Sequence, residues 1–183
     1  MRQHSVKGLV YKVIPVVSIA LSAWGGAAQA ADLTDGQIIG IYIQVNGFDI
    51  ETALLGRSQA GSAEARKLAE HVASDHLGVR QGAYALAEKC NVTPVLPAER
   101  NSAAVDHDAA MARLIKLTGA DFDKAYAEHE VAFHTAAIDA VKTALLPSAR
   151  CPELQAHFKA VLPAFEHHLM MTKELAAHVA NAK

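Results

Sequence analysis

From residue 34 onward, apolar residues recur every three or four positions, and a stripe of that period is buried only when helix packs on helix. Ile38, Ile41, Val45, Phe48, Thr52 and Leu55 form one such stripe, which predicts a first helix over Thr34 to Ala60. Gly61-Ser62 reads as a turn, with Ser62 as N-cap of a second helix that runs to Cys90 and turns Leu68, Val72, Val79, Ala83 and Leu86 inward. A third long helix, capped by Asp121, carries Phe122, Tyr126, Phe133, Ala137 and Val141 and stops near Pro147. The fourth starts around Pro152, where proline is tolerated in a first turn, and carries Leu154, Phe158, Leu162, Phe165, Leu169 and Leu175. Alanine, which loses no side-chain entropy in a helix, occurs 32 times in residues 31–183 and supports this reading. Four amphipathic helices cannot bury their stripes separately, so the expected class is an all-α bundle.

The connection between the second and third long helices decides the topology. It contains Pro94 and Pro97, then a short helical piece from Ala103 to Thr118 that ends at Gly119 as a C′ residue. A plain up-down bundle needs only a short loop there, whereas a long crossover returns the chain to the opposite end. The cysteines bear on the same choice. Cys90 ends the second helix and Cys151 precedes the fourth. In the plain topology they lie on the order of 40 Å apart, and in the crossover topology they share an end. Two cysteines in an exported chain are more often paired than free, although two unrelated buried thiols remain the alternative. The crossover with a Cys90–Cys151 bridge is the favoured reading.

The first thirty residues have the three-part order of an export signal. Arg2, Lys7 and Lys12 make a basic start, Val13 to Ala23 an apolar run, and Ala28-Gln29-Ala30 a small-x-small cleavage site. The run is much shorter than the ~20 residues of a spanning helix, so a signal peptide over 1–30 is expected, with cleavage after Ala30 and a periplasmic destination. Residues 31–183 then form one domain with 14 basic and 19 acidic side chains and no second segment apolar enough to anchor in a bilayer. That charge gives no footprint for a nucleic-acid partner.

Polar residues at core phase are the informative anomaly. Asp49 falls inside the first stripe and Glu51 at its edge; Asp75 and His76 straddle the centre of the second. Glu130 and His134 lie at i, i+4 on the third helix, and His168 leans inward on the fourth while His167 points away. With a rise of ~1.5 Å per residue, all four helices place these groups about 14 to 20 Å from the end that holds the Gly61-Ser62 turn, in one layer. Buried carboxylates and imidazoles must be paired, hydrogen-bonded or metal-bound. Pro163 either kinks the fourth helix, aiming His168 into the layer, or begins a second helical piece. His107, His157 and His178 read as surface residues.

The stretches Asn46 to Ala60, Val72 to His76, Gly119 to Tyr126 with His134 downstream, and Leu162-Pro163 with His168-Leu169 carry a resemblance in combination. Together they resemble the secreted bacterial family catalogued as domain of unknown function 4142, grouped with ferritin-like folds. The resemblance spans about Gln37 to Leu175 and implies a ferritin-like four-helix bundle with a long crossover. It also draws in Tyr126, Asp123 and Pro163 as supporting residues. Where that family has Glu-Ile, this chain has Asp49-Ile50, a shorter arm that reaches less far into any shared layer. The family lends no activity.

Two function classes fit the layer. In the first and preferred, Asp49, Asp75, His76, Glu130, His134 and His168 form a hydrogen-bonded network or line a small-ligand pocket, making an envelope binding module rather than an enzyme. In the second they hold Fe, Mn or Zn through N and O ligands, although no Glu-x-x-His of the di-iron type occurs. Hydrolase and nucleotide signatures are missing: there is no Gly-x-Ser-x-Gly, His-Glu-x-x-His, Cys-x-x-Cys or phosphate-binding Gly loop.

Overall fold

The computed structural model describes residues 33–181, so the expected signal peptide over 1–30 and its expected cleavage site lie outside the described residues. These residues are helical, with no strand among them: α1 spans Asp35–Gln59, α2 Ala63–Lys89, α3 Asn101–Leu114, α4 Gly119–Ala140 and α5 Pro152–Asn181. A π turn, Val141–Leu145, and a last turn, Leu146–Ser148, continue α4 without a break. Thr34 opens α1 with a capping box, its hydroxyl accepting from Gln37 N while Gln37 Oε1 accepts from Thr34 N. Ser62 caps α2 by accepting from Ala65 N at 3.1 Å.

α1 pairs with α2 and α4 with α5, and the two pairs pack on one another. The crossover returns the chain to the α1–α2 turn, where Ala60 and Gly119 meet in an isolated parallel bridge. At the other pole Cys90 and Cys151 form a disulfide with Cα atoms 5.8 Å apart. Asp35 adds a polar tie there, accepting from the backbone N–H groups of Arg150 and Cys151 at 2.8 and 3.0 Å.

Local details differ from the expectations. Asp121 is exposed in the first turn of α4 and caps nothing; the N-cap position is Thr118, without a side-chain bond. The short helix ends at Leu114, so Gly119 is not its C′ residue but the start of α4, with φ +60°. A Cβ on Gly61 would sit 2.7 Å from Gly119 Cα, so the turn and the start of α4 cross closer than side chains allow. Pro163 lies within one unbroken helix rather than starting a second piece.

α1 is also wider in its buried face than the stripe implied. Ile39, Gly40, Tyr42, Asn46 and Ile50 are buried, whereas Val45, Phe48 and Leu55 are only partly so. The crossover causes this, because its backbone lies directly on α1: Val95 N donates to Gly36 O at 3.0 Å, and a Cβ on Gly40 would run into the Val95 carbonyl. A helix covered on several sides is apolar all round. By length and composition alone α1 is therefore apolar enough to cross a membrane, contrary to the expectation of no such segment after residue 30, although 56% of that window is buried in the bundle.

The core forms two apolar clusters. Ile38, Ile39, Tyr42, Leu154, Phe158 and Phe165 lie toward the disulfide pole, and Leu68, Val72, Leu114, Phe122 and Tyr126 toward the other. The polar layer sits between them.

Candidate metal centre

Four helices deliver the layer. Asp49, Glu130, His134, His168 and His76 are 0–4% exposed, each on the helix and at the phase expected for it. The shorter arm of Asp49 does not withdraw it: Oδ2 lies 3.0 Å from His76 Nε2 and 3.4 Å from His134 Nε2. Asp75 departs from the prediction. Its side chain is 43% exposed and touches the layer from outside, through His168. α2 turns the centre of its stripe inward at His76, which leaves the preceding residue at the rim.

The supporting residues divide. Tyr126 is one turn from Glu130, and its buried hydroxyl has no hydrogen-bond partner among the described residues. Asp123 is away from the layer and accepts from Gly61 N and Ser62 N, both at 2.8 Å, thereby pinning the α1–α2 turn. Pro163 is exposed on α5 while His168 faces inward and His167 outward. His107, read as a surface residue, is buried against α1, stacked on Phe48 and 2.9 Å from Glu51 Oε2. Three participants went unpredicted: Asn46, His129 and His71. Asn46 lies three residues before Asp49 and His71 four before Asp75, so helical phase contained both signals.

The hydrogen-bond partners behind the rings select the tautomer that each ring takes when neutral. Asn46 Nδ2 donates to the Tyr42 carbonyl at 2.7 Å, so its Oδ1 faces His76 Nδ1 at 2.9 Å and the ring must donate. In the neutral ring His76 Nε2 is then a bare lone pair. His134 Nδ1 donates to the Glu130 backbone carbonyl at 3.0 Å, which leaves Nε2 bare. His168 Nε2 donates to Asp75 Oδ2 at 3.0 Å, which leaves Nδ1 bare, 3.3 Å from His76 Nε2. With the three rings neutral, their free lone pairs face the layer, where Asp49 Oδ2 lies 3.0 Å from His76 Nε2 and 3.4 Å from His134 Nε2. His134 Nε2 is buried without a hydrogen-bond donor among the described residues, whereas Glu130 is hydrogen-bonded through its side chain to Asp49 and to Thr52.

Burial disfavours the charged form of two of these rings. Burial lowers the pKa of His76, and burial together with His76 holds His168 down at about 4. His129, beside the layer, is also pushed down to about 4 by burial. The two carboxyl groups diverge. Burial and the neighbouring Asp49 push Glu130 well above the carboxylate range, whereas for Asp49 the pull of His76 and His134 outweighs burial and keeps it low. Asp49 is the carboxylate of the pair and Glu130 the acid.

A pH dependence follows for protein freed of metal. Histidines whose folded pKa is depressed bind protons in the unfolded chain first, so stability falls as pH drops from about 6.5 toward 4. Glu130, with a raised folded pKa, opposes this between about 4.5 and its native value but is one group against three. Urea unfolding at pH 7, 6 and 5 is expected to show decreasing stability, by up to ~1.4 kcal/mol per pH unit for each net proton. Constant or rising stability on acidification would mean charged native rings and defeat the assignment of bare nitrogens.

The geometry suits a cation. In a tetrahedral site with bonds of ~2.0–2.1 Å, neighbouring ligand atoms are ~3.3 Å apart. Three of the six separations among these ligand atoms, Asp49 to His76, His76 to His168 and Asp49 to His134, are 3.0, 3.3 and 3.4 Å. His76, His134 and His168 can each offer a ligand atom within 4.8 Å of the other two, as can Asp49, Glu130 and His134. Each ring is oriented from behind by an amide, a backbone carbonyl or a carboxylate, as metal-binding histidines are.

The fold and site define an all-helical bundle with a buried histidine–carboxylate centre. The chain belongs to the family described as domain of unknown function (DUF4142), whose model matches residues 22–175. No curated protein and no solved structure matches it.

Proposed function

We propose that this protein binds one divalent transition-metal ion, zinc foremost, through His76, His134, His168 and Asp49. The observation that carries the reading is that three buried imidazoles come within 4.8 Å of one another, each held from behind by a hydrogen-bond partner, with the Asp49 carboxylate 3.0 and 3.4 Å from two of them. A network that served only to fix helix register would place donors there, since opposed buried lone pairs are costly. Three imidazoles favour zinc, copper, iron or nickel over magnesium and calcium, and the three ligand separations of 3.0, 3.3 and 3.4 Å are compatible with zinc. Glu130, protonated and adjacent, stays outside the ligand set as a proton-holding neighbour. We place this centre in a ferritin-like bundle exported to the periplasm, a reading supported by the basic-apolar-small order of residues 1–30 and by a disulfide suited to an oxidising compartment.

Elemental analysis of protein purified without chelator, or reloaded with zinc after stripping, tests this. One equivalent per chain is expected, lost in His134→Ala and Asp49→Asn while helical circular dichroism persists. Intact apoprotein that takes up no zinc, copper, iron or nickel would overturn the reading and return the layer to a structural role.

A further inference from the structure

We propose that His71, Asp75 and the outer nitrogen of His168 form a second, solvent-facing cation site, through which the buried centre is loaded. This rests on the buried centre being a metal site. His71 and Asp75 lie at i, i+4 on α2, each with a side chain 43% exposed, and His168 reaches them from α5. Asp75 Oδ2 is 3.0 Å from His168 Nε2 and 3.5 Å from His71 Nε2, and the two rings meet edge-on with centroids 5.3 Å apart. These separations bracket the ~3.3 Å of a tetrahedral edge. The cluster supplies three ligands and leaves water to complete the shell, the arrangement of an open, exchangeable site.

The position of His168 is what joins the two sites. Its ring is 2% exposed and has one nitrogen in each: Nε2 at Asp75 and Nδ1 at His76. A cation on Nε2 puts the ring's single proton on Nδ1, where it can donate to His76 Nε2; passing the cation inward returns the proton to Nε2, where it donates to Asp75, so the ring serves the two sites in turn. The opposite side is mainly apolar, with Tyr42 and Asn46 its polar residues besides His76 and His134. On the far side of His76 and His134 lies a cavity of about 20 Å³, walled by Val45, Phe133, Ile138, Val141, Leu145 and Phe165. An ion stripped of water gains nothing from such walls. The half-exposed carboxylate and imidazole at residues 75 and 71 instead raise the local cation concentration where the polar path begins.

The test is stopped-flow loading of the apoprotein with Co²⁺, read by its visible absorption, in wild type and in His71→Ala. His71 is exposed and outside the buried ligand set, so the fold and the inner centre persist in the variant. Wild-type loading is expected to saturate with Co²⁺ concentration, as binding outside precedes transfer inward. His71→Ala should load about tenfold more slowly and without saturation, with unchanged end-point affinity. His71→Gln, which keeps the bulk but not the imidazole, should behave as His71→Ala does. Loading of His71→Ala at the wild-type rate overturns the outer site and leaves the inner one standing. Failure of wild type to bind Co²⁺ at all overturns both, beginning with the centre.

Discussion

Zinc is expected to raise the melting temperature of the stripped protein by about 8–16 °C when present at 1,000 times its dissociation constant. The figure follows from linkage: a ligand bound only by the native state stabilises by ~4.1 kcal/mol at that ratio, and a domain of this size shifts by ~2–4 °C per kcal/mol. The four ligands come from α1, α2, α4 and α5, and the unfolded chain holds no such set together. Asp49→Asn should abolish most of the shift. Its amide offers a neutral oxygen where the site needs a negative charge, and its N–H₂ provides the donor that the lone pairs lack. That variant without metal is therefore expected to melt no lower than stripped wild type. Differential scanning calorimetry with and without zinc resolves both statements, and equal shifts in wild type and Asp49→Asn would remove Asp49 from the ligand set.

Reduction of the Cys90–Cys151 disulfide, or the Cys90→Ser/Cys151→Ser double substitution, is expected to cost a similar amount. The bond closes a loop across a sequence separation of 61 residues. For a loop of that length the chain-entropy account gives about 4 kcal/mol, close to another 8–16 °C of melting temperature. The loop contains the crossover, α3 and all of α4, so the constraint removes unfolded-state freedom from the least locally determined part of the topology. The fold should survive, because Asp35 still ties the start of α5 to α1 through two backbone N–H groups. Guanidinium unfolding of the double variant measures the cost. A loss below ~1 kcal/mol would mean that the pole is held by its packing, and that the unfolded chain is already compact around the crossover.

Much of the centre was legible in the primary structure. Asp49, His76, Glu130, His134 and His168 were placed by helical phase and depth, and both are local properties: 100° and ~1.5 Å per residue hold wherever the helix packs. The route of the crossover was legible too, since two cysteines at the ends of helices leave few chain paths that bring them together. What phase could not supply is what a neighbour does to a side chain. Asp75, one residue from His76, was assigned to the interior, yet a rotation of α2 by a fraction of a turn leaves it at the rim. His107 reads as exposed in the sequence because nothing in α3 itself shows that Phe48 and Glu51 of α1 cover it. Asp123 belongs to the motif that accompanies the layer, but it serves the α1–α2 turn.

The sequence by itself determined a bundle of helices with acidic and imidazole groups at one height, because helix periodicity converts residue spacing directly into direction and depth. Only the tertiary structure decided which ring nitrogens are bare. That depends on Asn46, on the Glu130 carbonyl and on Asp75 standing behind the three rings, and the direction of a hydrogen bond is fixed by the partner's position in space, which spacing along one helix does not encode.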